Sequence, residues 1–168
     1  SKRNFKVVRN LAIILIPFVL ISCETTSSID KYHSSVKQVF IDVVKKDIFE
    51  DKLAIRGKYL NKAKKLFKNW LETGIKTNGF DGEVDIHLLS IISEEILIDN
   101  GVRINIDAKI ELLISKSALD SKRLIELNGS EFGELTGQFS INDKSVLAEN
   151  IIKKLIERFS NKLSSEVN

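Results

Sequence analysis

The sequence predicts an α+β fold: a two-layer sandwich in which an antiparallel meander sheet carries two amphipathic helices on one face, in the order β-α-β-β-β-α. Three observations carry that expectation. First, Val102, Ile104, Ile106, Ala108, Ile110, Leu112 and Ile114 alternate with Arg103, Asn105, Asp107, Lys109 and Glu111. A period of two held that long is a strand with one face buried and one wet. Second, two other segments repeat apolar residues at three- and four-residue steps, which puts them on one face of a helix. Third, Asp99-Asn100-Gly101 separates two strand-like runs, and Asn and Gly accept the positive φ of tight hairpins at little cost.

The elements follow in order. In "VKQVFIDVV", Val39, Ile41 and Val43 share one side of a first strand. Residues 45–59, "KKDIFEDKLAIRGKY", are charged with scattered apolar residues and predict loop or irregular structure. Residues 60–79 predict a helix. Leu60, Ala63, Leu66, Phe67, Trp70, Leu71 and Ile75 form its apolar face, and Asn78-Gly79 supplies a stop. Lys62, Lys64, Lys65 and Lys68 cover the other face. A face of one sign is either a solvated surface or a patch for anionic lipid headgroups.

A strand follows from Gly82, with Val84, Ile86 and Leu88 on one face and Asp85 and His87 on the other. Leu89, Ile91 and Leu113 fall on the nominally wet face. The third long strand carries Gly129, Gly133 and Gly137 at equal spacing. Such glycines are expected to mark bulges or a bend on an edge strand. The alternative is a smooth backbone surface for a partner strand or acyl chain. The closing helix has Asn142 or Asp143 as cap. Its stripe is Ala148, Ile151, Ile152, Leu155, Ile156, Phe159 and Leu163.

The start of the chain is organised differently. Lys2, Arg3, Lys6 and Arg9 precede an apolar run from Leu11 to Ile21 that contains Pro17. Basic start, short apolar core and small residues form a secretory signal. The run falls short of the ~20 residues that span a bilayer. Leu20-Ile21-Ser22-Cys23 resembles the bacterial lipobox, with Ser22 where Gly or Ala is frequent. The resemblance implies cleavage between Ser22 and Cys23, a diacylglycerol on the Cys23 thiol and an N-acyl chain on its new amino group. Two or more acyl chains hold a protein stably on a membrane. The chain then divides into a signal peptide, 1–22, a lipidated N-terminus with a polar tether, 23–35, and one α+β domain, 36–168. By resemblance to lipoprotein sorting, Glu24 after the cysteine implies outer-membrane transfer, facing the periplasm, over retention in the inner membrane.

Charge excludes one class of partner. The whole chain has 26 basic and 23 acidic residues. The leader takes four of the basic ones and none of the acidic, which leaves the remaining 146 residues at −1. No basic excess remains for nucleic acid. With the lone cysteine in the anchor, no thiol nucleophile or cysteine metal site remains. His33 falls in the tether, and His87 reads as a surface histidine. Glu94-Glu95 reads as a solvated pair. Nucleophile elbows, phosphate loops and dinucleotide fingerprints are absent. No catalytic residue, no metal and no cofactor beyond the covalent lipid are expected, and no enzyme.

The element order resembles that of small envelope lipoproteins such as the lipopolysaccharide-assembly lipoprotein and YajG-type lipoproteins. The expected function is a non-enzymatic accessory or assembly subunit of an envelope membrane-protein complex. The alternative is a periplasmic lipoprotein that shelters lipid or another apolar ligand between helices and sheet.

Overall fold

The computed structural model describes residues 36–117 and 121–167. The signal peptide, Ser22, Cys23, the tether and His33 lie outside them. The elements are β1 (Val39–Ile41), β2 (Lys45–Phe49), β3 (Ala54–Arg56), α1 (Leu60–Thr73), β4 (Ile75–Thr77), β5 (Glu83–Ile98), β6 (Gly101–Lys116), β7 (Ser121–Thr136) and α2 (Ile141–Val167). The fold is α+β, with two helices on one face of an open sheet.

The centre of the sheet is the expected meander. β5, β6 and β7 are antiparallel neighbours. Ile98 pairs with Gly101, leaving Asp99 and Asn100 as a two-residue turn. Every even position from Val102 to Ile114 is buried and every odd one half-exposed. Gly101 is needed for room, not for φ: a Cβ there would lie 1.8 Å from the Leu135 carbonyl oxygen. The space between sheet and helices is filled by large side chains. Phe67, Trp70, Leu66, Leu71, Ile86, Ile104, Ile106 and Ile110 are almost wholly buried. Phe159 of α2 meets Phe67 and Trp70 with ring centroids 6.1 and 6.5 Å away.

Several expectations are corrected. Residues 45–59 are not an irregular loop: they hold β2 and β3, both parallel to β5, so the sheet is mixed at that edge. These strands take their conformation from β5's free edge, which no local periodicity announces. Lys46 explains why a charged residue heads inward there. Its Nζ donates to the carbonyls of Leu71, Glu72 and Ile75 at 2.8, 2.9 and 2.6 Å. Those are orphan acceptors at and just past the end of α1. Burial holds the Lys46 amine below its ordinary pKa, and Lys76 adds to the effect. Lys46→Met keeps the apolar stem and strips the cap. It is expected to cost about 1–2 kcal/mol in urea unfolding, with a loss under a few tenths counting against the capping role.

α1 stops at Thr73, earlier than Asn78-Gly79 suggested, and Ile75 starts β4, which runs parallel to β1. Gly74 sits against the Trp70 indole, where a Cβ would come within 2.5 Å of Cδ1. A β-bulge between Leu88 and Ser90 reverses the parity of β5. Ile91 therefore joins the core, fully buried, instead of the wet face. The β6–β7 register, by contrast, runs unbroken from Gly101↔Thr136 to Lys116↔Ser121, so the glycines of β7 mark no bulge. A Cβ on Gly129 would lie 2.8 Å from both Leu155 Cδ1 and Phe159 Cε1, and one on Gly133 would lie 2.6 Å from Leu147 Cδ1. They let α2 lie close on the strand. Gly137 falls beyond β7 with φ 75° and donates its N–H to the Asn100 carbonyl at 2.9 Å.

α2 is capped by Ser140, not by Asn142 or Asp143. Ser140 Oγ accepts from the Asp143 N–H at 3.1 Å, and the Asp143 carboxylate accepts from the Ser140 N–H at 2.7 Å. This reciprocal box satisfies two orphan donors and holds the Asp143 carboxyl below its usual pKa. Among the described residues, no helix is long and apolar enough to cross a membrane.

Candidate functional site

The wet face of the sheet is laced by ion pairs and ring contacts. Lys109 bridges Glu111 and Glu126 at 3.1 and 3.6 Å. Arg103 donates to Glu134 and lies 4.9 Å over the Phe132 ring. His87 stacks on Phe49 of β2, with centroids 4.9 Å apart and planes 17° apart. Among the described residues no three His, Cys, Asp or Glu side chains are grouped to hold a metal ion.

The lysine face of α1 is less uniform than the sequence suggests. Lys62 bonds to Glu149 at 3.1 Å and to Ser145 Oγ at 3.0 Å, both on α2. Lys64 and Lys68 approach Glu50, at 2.8 and 3.7 Å. Lys64 holds the Glu50 carboxyl below its ordinary pKa. Lys65 is the one member of the set that α1 holds without such a carboxylate among the described contacts. The carboxylates come from β2's end and from α2, so spacing within α1 could not reveal them.

Glu94 and Glu95 have different surroundings. Glu94 meets Arg56 at 3.3 Å on the exposed side. Glu95 is not solvated. Its side chain is 14% exposed and receives Lys144 at 2.5 Å, Lys58 at 3.0 Å and the Tyr59 hydroxyl at 3.3 Å. It ties β5 to the two residues just before α1 and to the first turn of α2. Hydrogen bonds from Lys144 and then Lys58 hold its carboxyl below the usual value. A depressed carboxylate adds stability above its unfolded pKa of ~4.3 and loses it as pH falls through the lower folded value. Glu95→Gln is expected to cost about 1–2 kcal/mol at pH 7. Urea titrations at pH 7 and at pH 3 check it: the gap between variant and parent should narrow on the acid side, and an equal gap at both would refute the charged role.

The long outer edge of β7 is the feature with chemical consequence. Such an edge exposes a row of unpaired N–H and C=O groups. α2 covers its middle. Lys162 Nζ donates to the Glu126 carbonyl at 2.8 Å, and Arg158 Nη1 donates to the Ser130 carbonyl at 2.8 Å and to the Glu131 carboxylate at 3.1 Å. With an unbroken register, the other even-numbered residues of β7 also point their backbone groups outward. Phe132 and Glu134 are beyond the last cap, and no partner for their outward groups exists among the described residues. Beside them lies an open cleft of about 450 Å³ with a mixed lining, apolar from Leu135, Phe139, Val146 and Leu147 and polar from Gln138, Asp143 and Asn150. Lys122 and Leu124 form a shorter uncapped piece at the other end. The caps and the Glu95 hub were invisible in the sequence, because each joins residues 27 to 49 positions apart.

No family model matches the chain, and no curated protein matches it significantly. Among solved structures, it is similar to a minor lipoprotein from Acinetobacter baumannii. That match has 11% identity and a TM-score of 0.47, and covers 71% of this chain and 95% of that one. It is also similar to a neuraminyllactose-binding hemagglutinin homologue from Helicobacter pylori, with 9% identity, 77% and 90% coverage and a TM-score of 0.37. Similarity at that level assigns no activity.

Proposed function

We propose that the protein is a lipid-anchored envelope lipoprotein: a non-enzymatic accessory or assembly subunit that docks a partner segment at the distal edge of β7. Its anchor is Cys23 within Leu20-Ile21-Ser22-Cys23, and Glu24 favours the periplasmic face of the outer membrane. The observation that carries the docking role is the divided edge. Its middle is capped by Lys162 and Arg158, while Phe132 to Thr136 stays open beside a cleft of mixed polar and apolar lining. An added strand gains main-chain hydrogen bonds from such an edge and specificity from an adjoining pocket. Tethering to the membrane raises the effective concentration of both sides. The filled space between helices and sheet favours this reading over a lipid shelter, because a ligand there would displace Phe67, Trp70 and Phe159.

The test places a photo-crosslinking amino acid at Phe132 or at Asn128 of the full chain in host membranes. A membrane-protein adduct from position 132 and none from 128, which lies between the caps, is the expected outcome. No adduct from 132 overturns the docking role. Intact mass of the same material checks the anchor: a chain starting at Cys23 with acyl mass supports it, and a start elsewhere without lipid removes it.

A further inference from the structure

At the end of the sheet opposite the β7 cleft, Phe80 is wholly exposed, with a relative accessibility of 102%, and Val44 is 60% exposed beside it. The loop that carries Phe80 is fixed to the chain before β2. Asn78 N–H donates to Ile41 O at 3.2 Å, Gly79 N–H to Val43 O at 3.0 Å, and Val44 N–H to Gly82 O at 3.1 Å. Gly82 has φ 84°, and a Cβ there would meet the Ser115 carbonyl oxygen at 2.2 Å. The backbone is thus built to hold Phe80 outward. Val44 and Phe80 line an open cleft of about 350 Å³ with Lys45, Ser115 and Ser117. Lys45 lies 2.5 Å from Asp47 and 3.6 Å from Glu83, and Asp81 also lines the cleft, so acidic groups outnumber the one lysine there.

The chain's own start says what covers this end. Lys37 is bonded through its carbonyl to Ser160 Oγ at 2.9 Å, in the last third of α2, on the Phe80 half of the domain. Thirteen residues, the length of 23–35, have a root-mean-square reach of about 20 Å as a random coil. The far tip, at Leu97, is separated from Phe80 by the whole of β5, whose 16 residues span roughly 50 Å. A lipid on Cys23 therefore keeps the Phe80 end near the bilayer and the β7 docking edge away from it.

We propose that Val44 and Phe80 rest in the interface of the bilayer that holds the Cys23 acyl chains, fixing the domain upright with its docking edge outward. Phe and other apolar side chains bury at the boundary between headgroups and acyl chains. This inference rests on the lipid-anchored reading above. The acylated full-length protein would be reconstituted in phosphatidylethanolamine–phosphatidylglycerol vesicles containing a quencher lipid. A fluorophore would sit on Val44→Cys or, for comparison, on Leu97→Cys. Acylation blocks Cys23, the chain's one native cysteine, so each variant has a single free thiol. The label at 44 should be quenched several-fold more than that at 97, equally so in high salt, and adding Phe80→Ser should abolish most of the difference. Equal quenching at 44 and 97 in protein of verified acyl mass overturns this inference and leaves the anchor standing. Protein without acyl mass removes the anchor, and the inference with it.

Discussion

Trp70→Ala is expected to lose about 3–5 kcal/mol of stability. Trp70 is fully buried at the junction of α1, α2 and β4, against Phe159 and Gly74. Removing the indole leaves a hole that stiff neighbours cannot fill. Gly74 has no side chain to move into it, and Phe159 is already wedged against Phe67. A domain of this size has only ~5–15 kcal/mol to lose, so the urea midpoint should fall steeply with an unchanged slope. Circular dichroism has to report it, because Trp70 is the only tryptophan. Trp70→Phe separates packing from polarity. The indole N–H has no hydrogen-bond partner in the structure, so phenylalanine abandons no bond and should cost about 1–2 kcal/mol. A Trp70→Ala loss below 1 kcal/mol would mean that the two helices do not share a packed core.

Gly129→Val is expected to destabilise by about 2–3 kcal/mol. Here the sign is decisive. If Gly129 were merely a weak point in an exposed strand, valine would stabilise, since it prefers extended backbone and glycine costs entropy there. The structure predicts the reverse, because the Cβ alone would come within 2.8 Å of Leu155 and Phe159. Adding Leu155→Ala should restore part of the loss, a non-additivity expected only of residues in contact. Thermal unfolding of the two single variants and the double variant settles the point. A neutral or stabilising Gly129→Val would show that α2 is not held against β7 at this place.

What could be read from the residues was whatever depends on one segment alone. β6 declares itself because its two faces meet different media, and the Asp99-Asn100 turn because it must reverse the chain in two residues. The stripes of α1 and α2 declare themselves for the same reason as β6. What escaped depends on a second segment. β2 and β3 exist because β5 offers them an edge. The bulge at Leu88–Ser90 hides among apolar neighbours, so Ile91 looked misplaced when only its register had moved. The glycines of β7 were visible, but their meaning lies in the side chains that α2 lays over them. The lysines of α1 looked like a uniform patch until Glu50 and Glu149 arrived from elsewhere. The proposed docking edge was legible only as a long third strand; its division into capped and open parts comes from Lys162 and Arg158, a helix away.

That division has a consequence for stoichiometry. One side of the sheet ends in strands of five and three residues that are separated by a turn. The other side is capped at the Glu126 and Ser130 carbonyls, and among the described residues Lys122 and Leu124 stay open at one end and Phe132 to Thr136 at the other. A cleft adjoins each end, one lined by Leu135, Phe139 and Val146 and the other by Ile114, Arg123 and Val167. If a partner strand is received only at the longer open end, the domain terminates an assembly and does not propagate it. Under the proposed lipid anchor, such a domain would be a fitting of valence one and would not grow into a fibre on a membrane crowded with its own copies.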